Sequence, residues 1–382
     1  MPEVYLIAAA RTPIGIGKPD RGALFPVAPV DLAAYILQVA VARAGVEPAR
    51  IDDVILGCVT PIGDQGANIA RLAALKAGFP ASVPAVQLNR MCGSGQQAVH
   101  FAAQAILAGD MDLVLAGGIE MMSHQPLGAD YPEHWPEGFP YKLVHQGVSA
   151  EMMAARWQLS REVLDDFAYN SHLRAAEAIR QGRLARQIAP VSVPAADGST
   201  RTVDTDQGVR LAPDRAKMGE LRPVFKEDGV ITAGNSSQIS DAAAALVVAS
   251  EAFVRTHDLK PLARIVARVV VGSDPVLMLD APIPATRKVL QRAGLHLQDI
   301  DVIEINEAFA SVVLAWQHEL DADLERVNPD GGAIAHGHPL GATGAVLMTK
   351  LVDELQRDGA RLGLQTMCIG HGMATATILE RV

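Results

Sequence analysis

The chain has 382 residues, 49% of them apolar and 20% charged, with 33 glycines, a profile that supplies a buried core and excludes intrinsic disorder. Its net charge of −10, from 33 Lys and Arg against 43 Asp and Glu, argues against nucleic acid as a partner, whose binding rests on neutralising phosphates, but leaves room for one local basic pocket. Three scattered cysteines, Cys58, Cys92 and Cys368, exclude a disulfide framework and lack the spacing of a zinc ribbon.

In chain order, Met1 to Ala10 predicts a first strand. No basic segment precedes this short apolar run, so it does not read as a signal peptide. No window approaches the ~18 uninterrupted apolar residues of a membrane span, and the expected location is the reducing cytoplasm. A helix then stops at Arg43-Ala44-Gly45, followed by a strand from Asp52 to Val59, a Gly-rich turn, a helix from Gln96 to Ala108 and a strand from Leu113 to Ala116. Gly after the last helical residue and short Val/Ile runs are the signals used.

The same series returns 249 residues later. Arg292-Ala293-Gly294 repeats Arg43-Ala44-Gly45, Ile300-Asp301 repeats Ile51-Asp52, and Thr343-Gly344 repeats Ser94-Gly95. The second copy predicts a strand from Asp301 to Ile305, a helix from Ala345 to Leu355 and a strand from Leu364 to Ile369. Strands alternating with helices imply sheets covered by helices, here as two similar α/β halves. The predicted division is an amino-terminal half over 1–118, completed by about 240–261, a loop insertion over 119–239, and a carboxyl-terminal half over 262–382. The insertion holds Trp135, Trp157, Tyr131, Tyr141, Tyr169 and the pairs Met121-Met122 and Met152-Met153, and it predicts a lid or binding surface. Ser149 to Ile179 reads as helical, with Ser160 as an N-cap inside it.

Four segments carry chemistry. Asn89-Arg90-Met91-Cys92-Gly93-Ser94-Gly95 sets Cys92 just before a helix, where unpaired N–H groups and the helix dipole lower a thiol pKa from about 8.5 toward neutrality. That describes a nucleophile; a small core residue at a tight turn fits the same pattern. The glycine-flanked run Gly331 to Gly344 places His338 at the repeat counterpart of Asn89, so pseudo-twofold packing should bring the two turns face to face. A phosphate-cradling loop is a rival reading of this run, weakened because no Lys-Ser/Thr pair ends it. Asn306-Glu307-Ala308-Phe309 and Cys368-Ile369-Gly370-His371-Gly372 both follow predicted strands. A zinc site from His336, His338, Cys368 and His371 is disfavoured, because His336 and His338 would point to opposite faces of an extended backbone; no metal is expected. Cys58 reads as a buried strand residue.

Together these motifs resemble the thiolase family over essentially the whole chain, and Ala233-Gly234-Asn235-Ser236-Ser237 followed by Asp241 is similar to the family's segment returning from its loop domain. The resemblance implies a duplicated five-layered αβαβα core, with no permanently bound cofactor and coenzyme A as co-substrate. The implied reaction is reversible: acyl-CoA plus acetyl-CoA in exchange for 3-ketoacyl-CoA plus CoA. It implies Cys92 as acyl acceptor, His338 as its activator and Cys368 as acid/base on the acetyl α-carbon. One oxyanion hole would come from His338 with a water held by Asn306, the other from the N–H groups of Cys92 and Gly370. Ser237, Arg210 and His145 are the implied coenzyme A contacts, although Arg210 also reads as a solvated loop charge, and the Met pairs as either acyl pocket or core. A homodimer, possibly doubled into a tetramer, is also implied. His371 stands where many relatives have Gly, His336 where they have Ile or Leu, Ala242 where Gly is common, and Gln146 where short-chain acetoacetyl enzymes tend to have Met; the last favours 3-ketoacyl-CoA thiolysis. A strict acetoacetyl-CoA enzyme, a decarboxylating condensing enzyme and a non-catalytic acyl-CoA binder remain as alternatives, with Cys368 weighing against the second and the intact motifs against the third.

Overall fold

The computed structural model describes residues 3–195 and 197–382; Met1 and Pro2 of the predicted first strand lie outside the described residues. The amino-terminal series is β1 (Val4–Arg11), β2 (Gly15–Ile16), α1 (Pro29–Ala44), β3 (Asp53–Gly57), α2 (Ile69–Lys76), β4 (Ala85–Leu88), α3 (Ser94–Ala108) and β5 (Leu113–Met121). Next come α4 (Gln146–Arg156), α5 (Arg161–Arg180), β6 (Val191–Pro194), β7 (Thr200–Val203) and α6 (Arg215–Gly219). The chain returns through β8 (Ser240–Ser250) and α7 (Glu251–Thr256). The second series is β9 (Ala263–Gly272), α8 (Pro282–Ala293), β10 (Val302–Ile305), α9 (Ala310–Leu320), α10 (Ala333–His336), α11 (Leu340–Asp358), β11 (Leu362–Ile369) and β12 (Met373–Arg381).

The repeat is visible in the hydrogen bonding. Gly45 and Gly294 end α1 and α8 with φ of 65° and 67°, the left-handed conformation that favours glycine. Asp52 Oδ2 accepts from the N–H groups of Asp112 and Leu113 at 2.8 and 2.9 Å, and Asp301 Oδ2 accepts from those of Arg361 and Leu362 at 2.9 Å. Arg43 and Arg292 each donate to a carbonyl of the first strand of their half, Ala9 and Arg268. The repeated sequence anchors are thus structural: each pins a helix end or a strand start.

Strand order β1-β8-β5-β3-β4 in the first half is matched by β9-β12-β11-β10 in the second, with the same parallel and antiparallel senses. A parallel bridge from Ile303 to Val327 stands where the second half would need its fifth strand. The two half-sheets are not separate. Tyr5 pairs with Arg264 and Leu6 with Ala263, which joins β1 to β9 and makes one ten-stranded sheet. Helices α1 and α2 cover the outer face of the first half, α8 and α9 cover that of the second, and α3 with α11 fill the layer between.

Several elements differ from their sequence limits. Strand β5 runs on to Met121, buried along its whole length, because β3 pairs with it as far as Gly118 and β8 as far as Met121. Helix α11 begins at Leu340, not Ala345, since the glycines ahead of it tolerate helical packing against the other half. The predicted helix Ser149 to Ile179 is two, broken at Trp157 to Ser160, and Ser160 Oγ caps the second by accepting from the Val163 N–H.

Helices α3 and α11 touch backbone to backbone. A Cβ on Gly95 would lie 2.8 Å from Ala345 N and Gly341 O, and one on its repeat mate Gly344 would overlap the backbone nitrogen of Gln96. Gly344→Ala is therefore expected to destabilise the fold by ~1–3 kcal/mol, the usual range for overpacking, or by more because backbone is the obstacle; an unchanged midpoint in urea unfolding would refute this close approach.

Candidate active site

Both predicted turns converge at this helix crossing. Cys92 is buried two residues before α3 and packs in one apolar cluster with Val59, Met122, Leu340, Met367 and Ile369, with Met91 and Met373 against it. The backbone N–H groups of Gly370 and of Cys92 itself, and the side chain of Gln146, face its sulfur. The thiol is not acidic, contrary to the sequence expectation. Burial pushes its pKa up to about 11, and those donors offset only part of the desolvation.

His338 lies between α10 and α11, its N–H donating to Gln238 O. Its Nδ1 sits 2.7 Å from Thr343 Oγ1 and its Nε2 3.5 Å from Asn306 Nδ2. With the amide donating to Nε2, the ring proton belongs on Nδ1 and points to Thr343. Burial lowers the His338 pKa to about 4, so the imidazole is neutral and able to accept a proton.

Asn306 follows β10, fully buried, and its side chain also reaches the Cys368 thiol. Its Oδ1 has no hydrogen-bond partner. Cys368, near the end of β11, has its pKa raised well above the usual thiol range by burial first and then by the Cys92 charge. Cys92, Gly370, Cys368, Asn306 and His338 thus form one buried cluster.

The three expected coenzyme A contacts are more dispersed. Ser237 is half-buried on a segment that bridges Phe309 through Ser236 and His338 through Ile239, and its N–H donates to Ala308 O. His145 is exposed and stacks on Phe225 at 5.1 Å, Phe225 in turn meeting Phe309 edge-on; its Nδ1 accepts from the Gly147 N–H at the start of α4. Arg210 is exposed, with its backbone N–H on His172. The Met pairs divide: Met122 joins the Cys92 cluster, Met121 and Met153 are core residues, and Met152 is exposed.

Four supporting residues carried no spacing signal in the sequence as site members. Glu120, fully buried on β5, accepts from the N–H groups of Val59, Thr60 and Gly341 and from Gln65, and so holds the start of α11 against the opposite half. Thr343 orients His338, and Gln146, singled out only as a departure from relatives, reaches Cys92. Glu307 accepts from Ser171, Asn328 and the Ile334 N–H, tying α5 to the glycine run before His338. His336 is turned away: its ring nitrogens face Asp206 Oδ2 at 2.7 Å and Asp330 O at 2.8 Å. Among the described residues no group of three or more His, Cys, Asp and Glu is placed to hold a metal, and no helix is long and apolar enough to cross a membrane.

The profile of the thiolase N-terminal domain matches residues 4–252, and that of the thiolase C-terminal domain residues 259–381. The chain belongs to the thiolase family. This thiolase is 45% identical to a steroid 3-ketoacyl-CoA thiolase of Mycobacterium tuberculosis, over 100% of this chain and 95% of that protein. It is 42% identical to a 3-ketoacyl-CoA thiolase of Vibrio cholerae over the full length of both. The crystal structure of the Bacillus anthracis acetyl-CoA acetyltransferase superimposes with a TM-score of 0.92 at 38% identity, covering 100% of this chain and 99% of that one. As a thiolase the chain is an acyltransferase.

A neutral Cys92 and a neutral His338 predict that alkylation of Cys92 by iodoacetamide climbs with pH toward a midpoint near 11. A plateau reached by pH of about 7 would mean a preformed thiolate, which this pocket disfavours.

Proposed function

We propose that this thiolase cleaves 3-ketoacyl-CoA with coenzyme A, giving acetyl-CoA and a shortened acyl-CoA through an acyl-Cys92 intermediate, and that it runs the condensation in reverse. The observation that carries the residue roles is the placement of Asn306, whose side chain reaches both His338 and Cys368 while the Gly370 N–H faces Cys92.

In the first half-reaction His338 takes the Cys92 proton as the sulfur attacks the 3-keto carbon, because a neutral thiol needs a general base at the moment of attack. The oxyanion formed there meets the N–H groups of Cys92 and Gly370. The bond between C2 and C3 breaks, its electron pair passes to an enolate on the acetyl thioester, and Cys368 delivers the proton to C2. His338 and Asn306 stabilise the enolate oxygen. In the second half-reaction a CoA thiol loses its proton to the Cys368 thiolate and attacks the acyl-Cys92, releasing acyl-CoA, while His338 returns its proton to the departing Cys92 sulfur.

Electrostatics order these steps. Burial first and a charge on Cys92 second raise the Cys368 pKa, so the two sulfurs do not ionise together and the Cys368 thiolate forms only after Cys92 has reacted. Ser237, His145 and Arg210 are proposed to hold coenzyme A; Ser237 is supported by its segment bridging Phe309 and His338, and His145 by stacking on Phe225, which meets Phe309. A homodimer or homotetramer is supported by the open edge of β4 and the exposed Val86, Leu72 and Leu75 around it, since an unpaired edge strand invites pairing. Cytoplasmic location is supported by three free buried cysteines.

Thiolysis of acetoacetyl-CoA and of a longer 3-ketoacyl-CoA, with intact-mass detection of the chain, tests the reading: an acyl adduct on the Cys92 peptide, absent in Cys92→Ser, is expected. Coenzyme A binding without cleavage or adduct would overturn it. Cys368→Ala should still be acylated by a thioester but lose α-proton exchange of acetyl-CoA by at least ~100-fold, the lower end for general acid–base catalysis; unchanged exchange would remove Cys368 from that role.

A further inference from the structure

We infer that the segment between β5 and α4 forms an aromatic wall at the mouth of the Cys92 pocket that selects flat, ring-bearing acyl groups, with Tyr131, Trp135 and His371 as specificity-determining residues. The inference rests on the thioester-cleaving reading above and deepens it to a substrate class.

Residues 122–145 contain no helix or strand, yet they carry Tyr131, Trp135, Phe139 and Tyr141, each between 42% and 51% exposed. These are a quarter of the chain's Phe, Tyr and Trp residues. A long irregular loop that keeps so much ring surface in water is a binding device more often than a connector. The rings are ordered against one another. Phe139 lies 5.5 Å from Trp135, Trp135 lies 6.3 Å edge-on to Tyr131, and Tyr141 meets Phe139 at 6.4 Å. Both Tyr131 and Trp135 contact the His371 imidazole, at 6.2 and 6.0 Å.

His371 links this wall to the chemistry. It directly follows Gly370, whose N–H faces the Cys92 sulfur, so the ring series begins beside the acyl-bearing atom and leads outward from it. That continuity names the occupant as the acyl group of the thioester. His371 holds φ of 62°, a left-handed backbone that glycine adopts freely and that histidine visits at a modest cost. That backbone sets the imidazole against Tyr131 and Trp135, with a buried Nδ1 that has no hydrogen-bond partner.

Tilted rings present both faces and edges, the surfaces against which another flat ring packs best. Met91 and Met373, beside Cys92, add adaptable apolar surface at the inner end. A linear acyl chain would lose the freedom of every rotatable bond on lying along this wall, whereas a fused ring system has none to lose.

The test compares kcat/KM for thiolysis of acetoacetyl-CoA, 3-ketooctanoyl-CoA and a 3-ketoacyl-CoA bearing a fused bicyclic substituent, using the full chain. The ring-bearing substrate is expected to exceed the linear one by ~10-fold, a typical value for a well-packed aromatic contact, and Trp135→Ala and Tyr131→Ala to abolish that ratio mainly through KM. Trp135→Phe should restore most of it, and His371→Gly should lose it while raising thermal stability. Equal efficiency toward ring and linear substrates in the parent chain, or a parallel loss for all three substrates in Trp135→Ala, would overturn the inference. So would a shift of Trp135→Ala to a smaller species in light scattering with the substrate ratio intact, which would make the wall a subunit contact. Failure to cleave any of the three would instead strike the thioester-cleaving reading itself.

Discussion

Everything at the active site depends on how closely α3 and α11 approach. Only glycine at 95 and 344 lets the two backbones touch, and that contact sets the turn holding Cys92 against the turn holding His338. The Glu120 carboxylate then closes the joint from inside, taking N–H groups from Val59 and Thr60 on one side and Gly341 on the other. A charge placed at the start of a helix is favourable, and burial makes such hydrogen bonds strong but costly to leave unmade. The duplicated fold therefore does more than double a stable unit. It supplies two symmetry-related turns, and the candidate site lies between them.

The site so formed is buried, and burial decides its protonation. Desolvation holds both thiols protonated and the imidazole neutral, so no charge is stored at rest. Charge develops only as bonds change, at positions where N–H groups and the Asn306 amide already stand. This is preorganisation in the usual sense: donors aimed at a charge that has yet to appear.

Buried polar links attach the rest of the molecule to this centre. Lys350 on α11 donates to both oxygens of Glu304 at 3.0 Å and to Gly331 O at 2.6 Å, fixing the glycine run from below. Arg11 and His336 share Asp206, which fastens the insertion to β1 and to the residues just before His338. Removing one partner from such a set leaves an uncompensated buried charge, so these groups hold the loop in one place.

The sequence by itself showed two similar halves, through the 249-residue repeat, and singled out Cys92, Asn306, His338 and Cys368 as candidates, because polar and nucleophilic groups beside glycine turns are local patterns. Only the tertiary structure decided the rest. The ionisation of Cys92 ran opposite to the local reading, since the helix dipole is local while desolvation comes largely from Val59, Met122, Leu340 and Ile369, drawn from distant segments. Glu120, Thr343 and Gln146 were invisible as site members because their partners are 5 to 221 positions away or in another half, with no spacing to mark them. The union of two half-sheets through Tyr5 and Leu6, and the aromatic wall gathered on His371, likewise depend on packing between segments. Local pattern names the groups; their charge states and neighbours are set by what folding brings around them.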